Sequence, residues 1–176
     1  MAVDSLGKND IQQLQMQLAT VLAFNPYQIQ AREAQARVDQ WSLSSRTDSE
    51  KMVSGEKVLG SYRALIESRP SWPYHWLNLA LTKAQLQQFD QEFAHAYLRV
   101  QKLAPWAKDI QVELVLLGLQ AWYKLDEVMQ QQVLDVIDRA AVSNKVKIIA
   151  LIRQQQMQNE VCAAISSGTL SDVLCI

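Results

Sequence analysis

Two stretches of this chain, Tyr62-Arg-Ala-Leu-Ile-Glu-Ser-Arg-Pro70 and Tyr97-Leu-Arg-Val-Gln-Lys-Leu-Ala-Pro105, repeat each other 35 residues apart. Each has the apolar spacing of a helix that is stopped by proline, and a tryptophan follows soon after, Trp72 and Trp106. A recurrence of this length is typical of arrays that stack helix–turn–helix units, because neighbouring units bury each other's apolar faces. The repeat therefore predicts an all-α stack of antiparallel helix pairs.

The composition agrees with a helical, globular chain. The 176 residues contain only five glycines and four prolines, which favours helices over a turn-rich β fold. A hydrophobic fraction of 49% and a charged fraction of 20% are ordinary for a globular protein, so we expect a single domain over 1–176. The net charge of −1 and the scattered Lys and Arg residues provide no basic surface, which argues against a nucleic-acid partner.

Apolar spacing and turn residues predict roughly eight helices joined by short loops. The predicted helices cover approximately residues 5–25, 28–43, 48–68, 73–87, 90–103, 109–124, 127–142 and 143–166. Their expected caps are Asp4 or Ser5, Asp48 or Ser49, Asp126, and Ser143 or Asn144. Residues 1–47 form an N-terminal helical extension, and Gly55 and Gly60 leave room for close helix approach.

The segment His75-Trp-Leu-Asn-Leu-Ala-Leu-Thr-Lys-Ala-Gln-Leu-Gln-Gln-Phe-Asp90 resembles the first helix and turn of a tetratricopeptide repeat. Trp76, Leu79, Ala80 and Phe89 match the family's large and small positions, and Tyr97, Val100 and Pro105 match its second helix and closing proline. The resemblance implies that Trp76 fills the space between two helices. Lys83 and Phe93 depart from the pattern, so this pair is expected to open wider than the standard unit.

The same resemblance implies a concave groove for a partner. Asn78 matches a position that faces this groove, and its neighbours there are Leu77 and Leu81. These leucines favour an apolar groove for a partner protein over a clamp for a terminal carboxylate. The candidate partner-binding residues are Tyr74, Leu77, Asn78 and Leu81.

A narrower resemblance covers 69–125. It is carried in order by Arg69-Pro-Ser-Trp-Pro-Tyr-His-Trp-Leu-Asn-Leu-Ala80, Phe89-Asp-Gln-Glu-Phe93, Ala104-Pro-Trp106 and Leu117-Gly-Leu-Gln-Ala-Trp122. These motifs are similar to those of the VpsP-like polysaccharide biosynthesis proteins, which are encoded with bacterial exopolysaccharide machinery. The resemblance implies an accessory interaction module rather than an enzyme, with a protein of the assembly machinery as its partner.

Two alternatives stay open beside that interpretation. Trp72 and Tyr74 lie in an aromatic, proline-rich segment and are candidates for binding a glycan directly, because aromatic rings stack on the C–H faces of sugars. The purely structural interpretation is that these rings only pack against the loop. The chain is equally compatible with a general tetratricopeptide adaptor unrelated to polysaccharide.

Location is predicted from the same resemblance. Members of the family begin with an apolar segment, so we expect an upstream segment in the native gene and a periplasmic or membrane-tethered domain; the alternative is cytoplasmic. No stretch of this chain reaches the roughly 18 to 20 apolar residues that span a bilayer, and the first residues lack the order of a secretory signal.

No catalytic, metal or cofactor motif stands out. His75 and His95 have no second ligand at a suitable spacing, and Asp90 with Glu92 reads as a solvated turn. We therefore predict no catalytic residue, no metal and no cofactor. The two cysteines, Cys162 and Cys175, are read as buried or tail thiols, or as a bridge that staples the tail in an oxidising compartment.

Overall fold

The computed structural model describes residues 8–164, 174 and 175. Within them the chain is all-α, as the sequence predicts. Eight helices run in order: α1 Lys8–Phe24, α2 Ile29–Ser42, α3 Asp48–Ser68, α4 Pro73–Gln85, α5 Gln91–Leu103, α6 Lys108–Ala121, α7 Glu127–Gln154 and α8 Gln158–Ala164. Short 3-10 turns follow α2 at Leu43–Ser45 and α6 at Trp122–Lys124.

The chain divides into two compact units, Met1–Gln87 and Gln88–Ile176. The boundary lies inside the 69–125 segment of the family resemblance. In the first unit α1 packs on α2, α2 on α3 and α3 on α4, so consecutive helices are neighbours. Its core residues come mainly from α2, α3 and α4, whereas no described residue of α1 is fully buried.

In the second unit α6 and α7 form the main packed pair, with α5 against both and α8 against α7. Phe93, Tyr97 and Val100 of α5 are each 0% exposed, which makes α5 an interior element here. The Phe89 and Phe93 rings meet edge to face, with centroids 5.2 Å apart. A continuous apolar core therefore holds this unit together.

The helix ends follow local chemistry. The Asp90 side chain accepts from the backbone N–H groups of Glu92 and Phe93, and that of Asp126 accepts from Met129 at 2.8 Å. The start of α3 is capped one residue earlier than predicted, by Thr47, whose N–H and hydroxyl both donate to Glu50. The hydrogen bond from the Thr47 hydroxyl lowers the pKa of the Glu50 carboxyl. The predicted cap at Asp4 or Ser5 lies outside the described residues.

The break predicted at Ser143 or Asn144 is present, and the structure adds a second one. Asn144, with φ −139° and ψ 37°, lies outside the helical region and divides α7 into two helical segments at a kink. The predicted last helix is divided again near Gln156, which has a φ of 57° and precedes α8. Buried residues lie on both sides of the kink at Asn144, so both segments of α7 contribute to the core.

Of the two glycines singled out in α3, one serves a close approach. A Cβ on Gly55 would lie 2.5 Å from a Cδ atom of Leu86, so the glycine permits α3 and the end of α4 to meet. A Cβ on Gly60 would meet nothing within 4 Å. The close approach expected at Gly60 is therefore absent in the structure.

Candidate functional site

The start of α2 lies against the α3–α4 turn in the first unit. Glu33, near the start of α2, contacts residues on both sides of the α3–α4 turn. Its Oε1 lies 2.8 Å from His75 Nε2 and 3.5 Å from an Arg69 guanidinium nitrogen. His75 is only 2% exposed, so this carboxylate is held against a buried ring rather than in solvent.

Four aromatic side chains in or next to the α1–α2 and α3–α4 turns are exposed, and we call them the aromatic end: Phe24, Tyr27, Trp72 and Tyr74. They are 88%, 84%, 47% and 37% exposed, respectively. The Trp72 and Tyr74 rings are neighbours, with centroids 5.6 Å apart and planes tilted by 47°. The sequence drew attention to Trp72 and Tyr74, and the α1–α2 turn adds Phe24 and Tyr27, which lack a motif that would have marked them.

The predicted partner-binding residues do not share one environment. Tyr74, Asn78 and Leu81 follow each other at i, i+4 and i+7 along α4 and are all at least partly exposed. Leu77, by contrast, is 5% exposed and belongs to the core. Leu77 therefore packs in the core of the first unit and does not line an exposed groove.

Trp76 also departs from its expected place. It is partly exposed rather than fully buried, and its indole N–H donates to the Pro70 carbonyl at 2.8 Å. The ring thus closes the proline turn between α3 and α4. The large core side chains of this unit are instead Tyr62, Leu59, Leu65 and Leu79.

Two polar links join α2 to α4 along their lengths. Glu33 contacts His75, and further along both helices the Gln40 amide donates to the Asn78 carbonyl at 3.3 Å. The partners follow the same order in the two helices, as in parallel neighbours. Parallel first helices are a feature of tetratricopeptide stacking, and this arrangement is compatible with it.

The Gln40 side chain has a second partner. Its Oε1 accepts from the Tyr62 hydroxyl of α3 at 2.9 Å. Burial raises the pKa of Tyr62, so this hydroxyl stays protonated and serves as a donor. One amide therefore connects α2 to both α3 and α4.

Two clefts flank the α1–α2 pair. The first, which we call the Asp39 cleft, encloses about 540 Å³ and is lined by α1, α2 and α3. Asp39 lies on its wall, only 9% exposed, and its Oδ1 accepts from the Gln15 amide at 2.6 Å and the Gln35 amide at 2.9 Å. The second cleft, of about 490 Å³, lies between α1 and α2 and includes Glu33 and Arg37.

The second unit settles one question that the sequence left open, the state of its two cysteines. Cys162 and Cys175 form a disulfide, with Cα atoms 5.5 Å apart. Next to Cys175, Leu174 is 4% exposed, so the chain is packed where the bridge holds it. The nearby Tyr123 hydroxyl donates to Glu160, and this bond lowers the pKa of Glu160.

His75 and His95 are not brought together in a cluster of metal-ligand type. In the part of the chain that the structure describes, no group of three or more His, Cys, Asp or Glu residues could hold a metal ion. Within the same residues, no helix is both long and apolar enough to cross a bilayer. No protein-family model, curated protein or solved structure matches this chain.

Proposed function

We propose that this protein is an interaction module that binds a partner protein of bacterial exopolysaccharide assembly or export. The surface we assign to the partner is the partly exposed stripe of Tyr74, Asn78 and Leu81 on α4, continued by Trp72 at the aromatic end. This stripe carries the proposal, because apolar and aromatic side chains that remain exposed side by side on one helix are characteristic of partner sites.

Two further observations support parts of the proposal. The parallel links between α2 and α4 are what a tetratricopeptide-like stack requires, and such stacks present the faces of successive first helices to a partner. The role in exopolysaccharide assembly is supported by the sequence resemblance over 69–125.

The disulfide indicates the compartment in which this protein acts. Disulfides persist in oxidising surroundings such as the bacterial periplasm and are rare in the cytosol. The Cys162–Cys175 bridge therefore favours the periplasmic alternative over the cytoplasmic one.

In-cell crosslinking tests the proposed surface. A photoreactive residue at position 81 should capture a protein of the polysaccharide machinery in a native strain. Val53 is 77% exposed on α3, so the same residue at position 53 serves as the matched control. Equal capture from both positions, or crosslinks from position 81 only within the chain, would contradict the proposal.

A second function is favoured by the ring pair at the aromatic end. Trp72 and Tyr74 are exposed neighbours and offer a platform for the apolar face of a sugar. Binding of an oligosaccharide that is lost in Trp72→Ala, while the crosslink from position 81 persists, would show that sugar binding requires Trp72 whereas partner binding does not.

A further inference from the structure

The Asp39 cleft combines two hydrogen-bond acceptors, two cations and an apolar wall. Met16 and Leu22 of α1 and Val58 of α3 supply the wall. Asp39 and Gln35 supply polar atoms from α2. Arg46 and Lys57 also line the cleft and are exposed. Ligand sites commonly pair an apolar wall with a few polar groups of fixed orientation.

The Asp39 carboxylate has capacity for further hydrogen bonds. A carboxylate accepts at both oxygens, in about four positions. Oδ1 is engaged by the Gln15 and Gln35 amides, whereas the described contact of Oδ2 is Lys57 Nζ at 3.9 Å, longer than a hydrogen bond. The Lys57 side chain is 78% exposed, so this pair is weak and leaves Oδ2 to accept from another donor.

A second acceptor at the same place lacks a donor. Gln35 lines the cleft, and its Oε1 is buried without a hydrogen-bond partner in the described part of the chain. An unpaired buried carbonyl is unfavourable, and rotation of the Gln35 amide toward a donor brought by a ligand removes this cost. Two neighbouring acceptors match a molecule with adjacent hydroxyl groups.

The charges decide what else the ligand carries. Among the residues that line the cleft, the two positive charges of Arg46 and Lys57 outnumber the one negative charge of Asp39. A cationic ligand is therefore repelled, and an anionic group is attracted to the exposed side of the cleft. The apolar wall accommodates the C–H face of a sugar ring, while the hydroxyl groups reach Asp39.

We propose that the Asp39 cleft binds a sugar acid, a polyhydroxylated molecule with one carboxylate. Its hydroxyl groups donate to Asp39 and Gln35, and its carboxylate pairs with Arg46 and Lys57. This site lies apart from the α4 stripe and does not depend on the proposed partner protein.

Binding of three small probes to the full chain tests the proposal by NMR titration. Glucuronate has both hydroxyl groups and a carboxylate, glucose lacks the carboxylate, and hexanoate lacks the hydroxyl groups. We expect glucuronate to bind at least about tenfold more tightly than either of the others, since each lacks one set of charge-assisted hydrogen bonds. Hexanoate binding as tightly as glucuronate, or no detectable binding of glucuronate, would overturn it.

Charge variants distinguish the contact to the ligand's carboxylate from the contact to its hydroxyl groups. Lys57→Gln should weaken glucuronate binding by about two- to fivefold, as expected for an exposed ion pair, and leave glucose binding unchanged, because only a contact to the carboxylate is lost. Asp39→Asn should weaken binding of both sugars. Arg37→Gln, which removes a cation from the second cleft, is the matched control and should change neither.

Lys57 is exposed, so Lys57→Gln keeps the test decisive even if Asp39→Asn fails to fold. An equal loss of glucuronate binding in Arg37→Gln and Lys57→Gln would show that net charge, not this cleft, attracts the probe. That result would overturn the assignment.

Discussion

The interiors of the two units are built from different chemistry. Among the described residues, the buried polar and charged side chains of the first unit are Asp39, Gln40, Ser42, His75, Thr82 and Lys83, whereas the second unit buries Gln111. The second unit instead stacks rings on α5 and packs α6 directly on α7.

This difference changes what defines each fold. Apolar cores tolerate many arrangements of similar volume, whereas a buried polar group requires a partner at a fixed place. In the first unit, Gln40 and Glu33 therefore fix how α2 lies against α3 and α4. In the second unit, α5, α6 and α7 meet mainly through apolar side chains, with few buried polar groups among the described residues. The predictions below challenge that contrast, beginning with the largest expected effect.

Phe93→Ala tests the apolar core of the second unit. Phe93 is 0% exposed and its ring lies between those of Phe89 and Tyr97, so truncation leaves a cavity. We expect the free energy of unfolding to fall by about 3–5 kcal/mol in urea denaturation. Phe89→Ala, at a partly exposed ring on the same turn, is the control and should cost less. Equal losses would show that burial does not set the stability of this unit.

The disulfide tests whether the second unit also depends on a covalent link. Cys162 and Cys175 are separated by 13 residues, and closing a loop of this size stabilises a fold by about 3 kcal/mol. Cys162→Ser should lower the free energy of unfolding by about this amount, and a reductant should do the same to the parent. If the denaturation midpoint of the parent protein is the same with and without reductant, the bridge is contradicted, and so is its support for a periplasmic location.

Gln40→Met tests the polar interior of the first unit. The substitution keeps the shape of the side chain but leaves the Tyr62 hydroxyl buried without its acceptor. We expect a loss of about 1–3 kcal/mol in the free energy of unfolding. Adding Tyr62→Phe should restore part of it, because replacing both partners of a buried hydrogen bond by apolar groups is nearly neutral. If the losses in free energy of unfolding are additive in the double variant, the Tyr62–Gln40 hydrogen bond does not couple the two helices.

The sequence predicts those features of the fold that local chemistry decides. Prolines 70 and 105 do follow helix ends, and Asp126 does cap a helix, because each depends on residues within one turn. Asn144, where a cap was predicted, is likewise non-helical and kinks α7. The break near Gln156 shows the limit, because the helix predicted over 143–166 runs through it.

The candidate site was predicted only in part for a similar reason. Helical spacing alone groups Tyr74, Asn78 and Leu81, but it does not tell that Leu77 turns inward while Trp76 stays partly exposed. The Glu33–His75 contact joins residues 42 apart, and the Asp39 cleft combines three helices. Such distant pairings depend on tertiary packing, and no local pattern encodes them.

Two glycine substitutions provide the smallest and sharpest comparison between the units. A Cβ on Gly118 of α6 would lie 2.6 and 2.7 Å from the two Cγ atoms of Val133 on α7, and 3.1 Å from the Tyr97 hydroxyl oxygen. Val133 is fully buried and its branched side chain is stiff, so the neighbours must shift. We expect Gly118→Ala to lower the free energy of unfolding by about 1–2 kcal/mol, since overpacking exceeds the gain in helix propensity.

Gly60→Ala in α3 of the first unit is the matched control, because a Cβ there meets nothing within 4 Å and only the helix propensity changes. It should raise the free energy of unfolding by up to about 1 kcal/mol, measured by the same urea denaturation. Opposite signs for the two glycines would confirm that α6 and α7 are held by close shape matching.

Adding Val133→Ala should make Gly118→Ala better tolerated, because it removes both Cγ atoms that the new methyl group meets. A stabilising Gly118→Ala would mean that the α6–α7 pair has room to spare, and the contrast between a shape-defined second unit and a hydrogen-bonded first unit would then be wrong.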